Sequence, residues 1–337
     1  MKYILKPFLL IVELIRGLTS NRAITFSLCI MCLRTFRVDK KNVLSTLLET
    51  LKSMNAINRY KKKGLKFLNT KKESLNNSKE NTLFILGSGP SINEISEQEW
   101  GIIRKNTSWG FNFWFCHDFI PSIYIAQNAE GSALGPSYNE ELNLLVKKML
   151  ADKKELYKNV KFYVRGDGVN NQTFYNSSFG DYLYKNFKNN LYHMAEMPIS
   201  SKSKVEPKNY LTILKKYGFL KKSNLIQPVP KFGSTIGELI PLALILGFKK
   251  IVLCGIDMNG GDHFYDSEEY FKKYPMLKML SDKNRKKTKH EHMDTTQRTY
   301  TVKDVILNLN DFAKENFEAE IYVIKESSTL YPEIKKY

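Results

Sequence analysis

Leu83-Phe84-Ile85-Leu86 runs straight into Gly87-Ser88-Gly89-Pro90-Ser91. Four apolar residues followed by a turn of small ones read as a buried parallel strand that stops abruptly. Ser91-Ile92-Asn93-Glu94 has the spacing of a capping box, so Ser91 is expected to open a helix. Strand, glycine turn and helix start form a phosphate-binding layout. Glycine lets the backbone approach an anion, and free N–H groups at the helix start point at it. Pro90 stiffens the turn. Ile92 stands where a dinucleotide fingerprint would need its third glycine, so an ordinary strand-to-helix turn has the same look.

Other polar residues fall where strands should end. Asn112 closes one apolar run and Gln127-Asn128 another. Ser234 and Thr235 precede an apolar helix, with Thr235-Ile236-Gly237-Glu238 as a second capping-box spacing. Gly255 and Asp257 follow the most apolar strand. Amides can read a base or ribose by hydrogen bonds, and hydroxyls and backbone N–H groups can hold a phosphate. A histidine can take a proton from a hydroxyl near neutral pH. His263, His290 and His292 are the candidates, with Tyr265 close by in sequence. Together these suit transfer of a sugar from a nucleotide.

No Asp-x-Asp pair is present to seat a divalent cation under a diphosphate. His290-x-His292 in a polar, basic segment is not a specific metal signature. No cofactor and no metal are expected. Lys283, Arg285, Lys286, Lys287 and Lys289 form a charge run that suits an anionic substrate or a solvated face equally.

The elements that must carry these residues alternate. Strands are expected at 83–86, 108–114, 121–127, 160–164, 251–257 and 320–324. Helices are expected at 42–68, 138–152, 239–246 and 302–316. Such alternation defines an α/β fold, a Rossmann-like, mostly parallel sheet with helices on both faces. Ligands bind outside the carboxyl ends of such strands, which is where the marked residues cluster. Residues 166–230 and 262–300 show little periodicity and read as insertions of the kind that cover a site or hold an acceptor. The division expected is a basic helical extension, 1–80, before a main domain, 81–337.

The net charge of +18 is uneven, because residues 1–80 carry 17 Lys+Arg against 5 Asp+Glu. Ile4, Phe8, Ile11, Ile15 and Leu18 recur at helical spacing. Basic charge beside apolar helical faces suits an anionic membrane surface, a partner, or packing on the protein's own body. Zinc-finger spacing, a helix-turn-helix and RNA-binding aromatics are all missing, so no nucleic acid is expected. Glu13 and Arg16 break the first apolar run, which argues against a signal peptide, and the uncharged stretch 23–33 is too short to span a bilayer. Cys29, Cys32, Cys116 and Cys254 make no disulfide framework, in keeping with a reducing cytoplasm. The expected place is the inner face of the cytoplasmic membrane, and a homo-oligomer is compatible with all of this.

From about residue 81 to 335 the chain resembles the bacterial sialyltransferases of glycosyltransferase family 42, the Campylobacter lipooligosaccharide type. Gly87-Ser88-Gly89-Pro90-Ser91 resembles the family's Gly-Asn-Gly-Pro-Ser. Phe111-Asn112-Phe113 and Gln127-Asn128 lie where the family has donor-contacting Asn residues. The stretch from Gly247 to Met258 is similar to the family's helix end, strand and Gly-Ile-Asp-Phe. Thr235 falls at a donor-binding Ser, Tyr265 at one of two tyrosines assisting the leaving phosphate, and His292 at the general base, with His290 its rival. Departures stand beside these. Asn259 occupies the other tyrosine's place, Ser88 replaces an Asn, and Phe232, next to Lys231, replaces an Arg.

The resemblance implies a GT-A-variant fold and metal-independent, inverting transfer from a CMP-activated ulosonic acid (sialic, pseudaminic, legionaminic or Kdo) to a surface glycan, as in lipopolysaccharide or capsule synthesis. Two other readings share the glycine turn: a pterin pyrophosphokinase-like enzyme using ATP and Mg²⁺, and a non-catalytic nucleotide-binding protein of polysaccharide assembly.

Overall fold

Side chains that alternate along a strand point to opposite faces, and here both faces are buried. In a computed structural model, which describes residues 2–36, 39–73, 81–129, 136–165, 174–200, 202–203, 205–258, 262–285 and 299–337, the chain forms an α/β fold around one parallel sheet. The chain begins with α1 (Lys2–Ser20), α2 (Arg22–Phe36), α3 (Lys40–Lys62), β1 (Lys66–Phe67) and β2 (Thr82–Leu86). It continues through α4 (Glu97–Arg104), β3 (Thr107–Phe111), β4 (Ile123–Ala126), α5 (Asn139–Asp152), β5 (Lys161–Val164), α6 (Ser178–Phe187), β6 (Leu191–His193) and β7 (Ala195–Ile199). Then come α7 (Pro207–Lys216), β8 (Pro228–Phe232), α8 (Ile236–Leu246) and β9 (Lys250–Cys254). The remaining elements are α9 (Glu268–Lys273), α10 (Pro275–Arg285), α11 (Val302–Phe317) and β10 (Glu320–Val323).

Eight strands pair in the order β1-β6-β5-β4-β3-β2-β9-β10, all parallel. A second, two-stranded parallel sheet joins β7 to β8. On β2, Leu83 and Ile85 enter one core with α2, α3, α7, α8 and α11, while Phe84 and Leu86 enter the other with α4, α5 and α6. Ile251 and Leu253 on β9 face the first core, and Val252 and Cys254 the second. Each of these β2 side chains is fully buried, a contribution of roughly 1.5–3 kcal/mol apiece at most, so β2 and β9 form a rigid spine.

The strands expected from apolar runs are present with ends moved by a few residues. Three findings differ from expectation. Residues 1–80 are not set apart from the sheet: β1 pairs with β6, and Leu28, Met31, Val43, Leu47 and Leu51 belong to the first core. The stretch 166–230 is not a loose insertion. It holds β6 inside the main sheet, all of β7 and the start of β8. Short length hid β6, and Pro198, Pro228 and Pro230 hid β7 and β8, since proline argues against a strand. Neither expected capping box forms. Gly89 caps a short 3₁₀ turn over Pro90–Glu94, and the real box is Ser96 with Glu99 at the start of α4.

Candidate functional site

The chain leaves β2 toward β3 and returns on the other side of β2 through β9, so the sheet's topological switch lies between β2 and β9. Ligands of open parallel sheets bind outside the carboxyl ends of strands at such a point. Here that point is filled by the protein itself. The Gly87 N–H donates to the Cys254 carbonyl (2.7 Å) and the Gly89 N–H to the Gly255 carbonyl (2.8 Å). Asp257 accepts from the Ser91 N–H (3.0 Å) and the Ser91 hydroxyl (2.6 Å). Thus the carboxylate expected to face a ligand sits where an anion would sit. Burial raises the Asp257 pKa, and the two Ser91 bonds oppose that rise.

The glycines are needed for this closure. A Cβ on Gly89 would lie 2.2 Å from Asp257 Oδ2, and one on Gly87 2.6 Å from the Gly255 carbonyl oxygen. The Ser88 carbonyl accepts from the Phe264 N–H (2.9 Å), which pins residues 263–265 over the turn. Tyr265 is buried there, stacked on His263 and edge-on to Phe113. Burial raises the Tyr265 pKa and lowers that of His263, so both are neutral near pH 7. Asn259, His290 and His292 lie outside the described residues.

Farther along the same edge the side chains are open. Asn112 follows β3 in a left-handed conformation, φ +56°, with its carbonyl accepting from the Tyr124 hydroxyl. Its exposed amide makes no hydrogen bond to the described residues. Gln127 is half-buried at the end of β4. Asn128 accepts from the Ser177 hydroxyl (2.6 Å), which also caps α6 through the Gly180 N–H.

Beyond β5 lies a buried charge cluster that no motif announced. Arg165 directly follows Val164. Its Nε donates to Glu196 Oε1 (3.0 Å), its Nη1 to Thr235 Oγ1 (2.7 Å), and its Nη2 stands 2.6 Å from Glu238 Oε2. Lys231 Nζ, on a side chain 29% exposed, reaches Glu196 Oε2 at 3.4 Å. Burial pushes the Glu238 pKa up to about 8 against the pull of Arg165, and the neighbouring Glu196 adds to the rise. Burial also works to raise Glu196, but Arg165 and Lys231 outweigh it and hold it low. Arg165 and Lys231 thus stand against the two neighbouring carboxyl groups of Glu196 and Glu238. The sequence signal was thin: one Arg after a strand, one Glu in a wholly apolar helix.

Thr235 gains a direction from this cluster. A guanidinium only donates, so the Thr235 oxygen must accept from Arg165 and its own proton is left to donate outward. Ser234, not Thr235, caps α8, accepting from the Gly237 N–H (3.1 Å). No group of three or more metal-type side chains comes together among the described residues.

This architecture defines a Rossmann-like α/β protein whose candidate site runs along the carboxyl ends of β3 to β5 and the start of α8. No family model matches the sequence, and neither does any curated protein. Among solved structures it is similar to the sialyltransferase CstII from Campylobacter jejuni in complex with CMP-3FNeuAc, at 15% identity over 76% of this chain and 85% of that one, TM-score 0.37. It is also similar to the monofunctional alpha-2,3-sialyltransferase Cst-I from Campylobacter jejuni, at 15% identity over 78% and 82%, TM-score 0.40. CstII in complex with trisaccharide acceptor and CMP gives 15% identity over 75% and 84%, TM-score 0.35.

Proposed function

We propose that this protein is a CMP-sugar-dependent glycosyltransferase that moves an ulosonic acid to a glycan acceptor. The observation that carries the reading is the open array Asn112, Gln127 and Thr235 beside the buried Arg165 and the part-exposed Lys231. Amides suit a base and ribose, a hydroxyl committed to donate suits a phosphate oxygen, and the part-exposed Lys231 ammonium suits an anionic sugar. A lone phosphate leaving group carries less charge than a diphosphate, so hydroxyl and N–H donors suffice without a cation.

The reaction proposed is in-line and inverting. A histidine base takes the proton from the acceptor hydroxyl, the oxygen attacks the anomeric carbon, and CMP departs. His292 is the proposed base and His290 its rival. Asn259 stands in the sequence where the resembled family has its other leaving-group tyrosine.

The test is isothermal titration with CMP in the presence of EDTA, alongside ATP with Mg²⁺. CMP binding without metal supports the reading, and binding of ATP with Mg²⁺ in its place moves it to phosphate transfer. Loss of a general base typically costs about 10²–10⁴-fold in rate, so His292→Ala should lower kcat by that order and leave CMP affinity unchanged. If His290→Ala carries the loss instead, the base moves by two residues.

A further inference from the structure

The N-terminal pair of helices is apolar on both faces, for Leu28, Met31 and Cys32 enter the first core with Leu10 and Leu14 packed against it. In α1 the face toward the body carries Glu13, buried against Asn55, whose Nδ2 donates to Glu13 Oε2 at 2.8 Å. The apolar row read from the sequence points the other way: Ile11 is 55% and Ile15 57% exposed. In α2 apolar side chains likewise stand on the outer face although others are buried. Thr25 and Thr35 are fully buried, whereas Phe26 is 61% and Leu33 71% exposed. A helix on water ordinarily turns its polar face out. Two adjacent helices that fill the core on one side and still expose Ile, Phe and Leu on the other form a surface built to be covered.

We propose that this face docks on an anionic lipid surface, lying in the headgroup region with Ile11, Ile15, Phe26 and Leu33 inserted. Charge selects the occupant. The stretch 1–36 holds five basic residues and a single acid, Glu13, which is turned inward and pairs with Arg16 at 2.8 Å, leaving Arg22 among four further cations. A face with no outward acid is attracted to anionic headgroups and repelled by a second copy of itself. No helix among the described residues is long and apolar enough to cross a membrane, so the helices lie on the surface rather than span it. The docking is separate from the proposed chemistry.

The test is co-sedimentation of the full chain with vesicles of phosphatidylcholine alone or with phosphatidylglycerol added. The expected result is binding to the anionic vesicles, weakened by salt. The double variant Ile15→Ser/Phe26→Ser should lower partitioning at least about tenfold, with circular dichroism and melting unchanged because both side chains are exposed. Arg22→Glu should weaken binding without touching the apolar row. Absence of vesicle binding overturns the proposal. So does equal binding to neutral vesicles, or a dimer in sedimentation velocity that the double variant dissolves. None of these outcomes depends on whether CMP binds.

Discussion

The two ends of the sheet's carboxyl edge treat polar groups in opposite ways. At β2 and β9, glycine brings two turns so close that their N–H groups and the Asp257 carboxylate satisfy one another. At β5 and α8, Arg165 reaches into the protein and leaves Thr235 a proton to give away. The first region is closed by hydrogen bonds between its own parts. The second keeps its bonding capacity for something else. A glycine turn is therefore not by itself an anion site: what matters is whether its donors are already spent.

The largest effect expected is from removing Arg165. Arg165→Met leaves Glu196 and Glu238 without their main partner and should cost about 3–5 kcal/mol of stability by urea denaturation. If the protein tolerates it, the cluster is not the scaffold of the open end. At the closed end, Asp257→Ala removes both bonds to Ser91 and should cost about 1.5–3 kcal/mol. CMP affinity, followed by titration, should hold nearly constant. A large fall in affinity with little loss of stability would make the glycine turn a binding element and erase the contrast. Thr235→Val keeps the side chain's shape and removes its hydroxyl. It should cost about 1–3 kcal/mol of stability, because the buried Arg165 Nη1 loses its acceptor, and weaken CMP roughly tenfold to a hundredfold, with Thr235→Ser restoring most of both.

The smallest effect is a slope. Glu238 titrates near 4.5 when unfolded and near 8 when folded, so the native state holds an extra proton between those values. Stability from this group is complete below pH 4.5 and falls as pH rises toward 8. Glu238→Gln should flatten that decline in melting temperature measured from pH 5 to 8. His193, whose pKa burial lowers from 6.5 to about 4, acts oppositely: its stabilisation is lost as pH falls through that window.

The sequence by itself determined the spine of the fold. Apolar runs such as Leu83–Leu86 and Ile251–Cys254 are buried on both faces and need no partner to be recognised. It also determined that polar residues gather at one end of the sheet, because strand direction fixes which end that is. Only the tertiary structure decided which of them face a ligand. Gly87, Gly89, Ser91 and Asp257 look like a cradle in one dimension and bond to one another in three, since Asp257 arrives from 166 residues away. Arg165 and Glu238 carried no local pattern, because their meaning lies in a meeting of β5 with α8. The hairpin makes the same point. Periodicity revealed an apolar face on α1, but only the packing of α1 against α3 showed that this face looks outward.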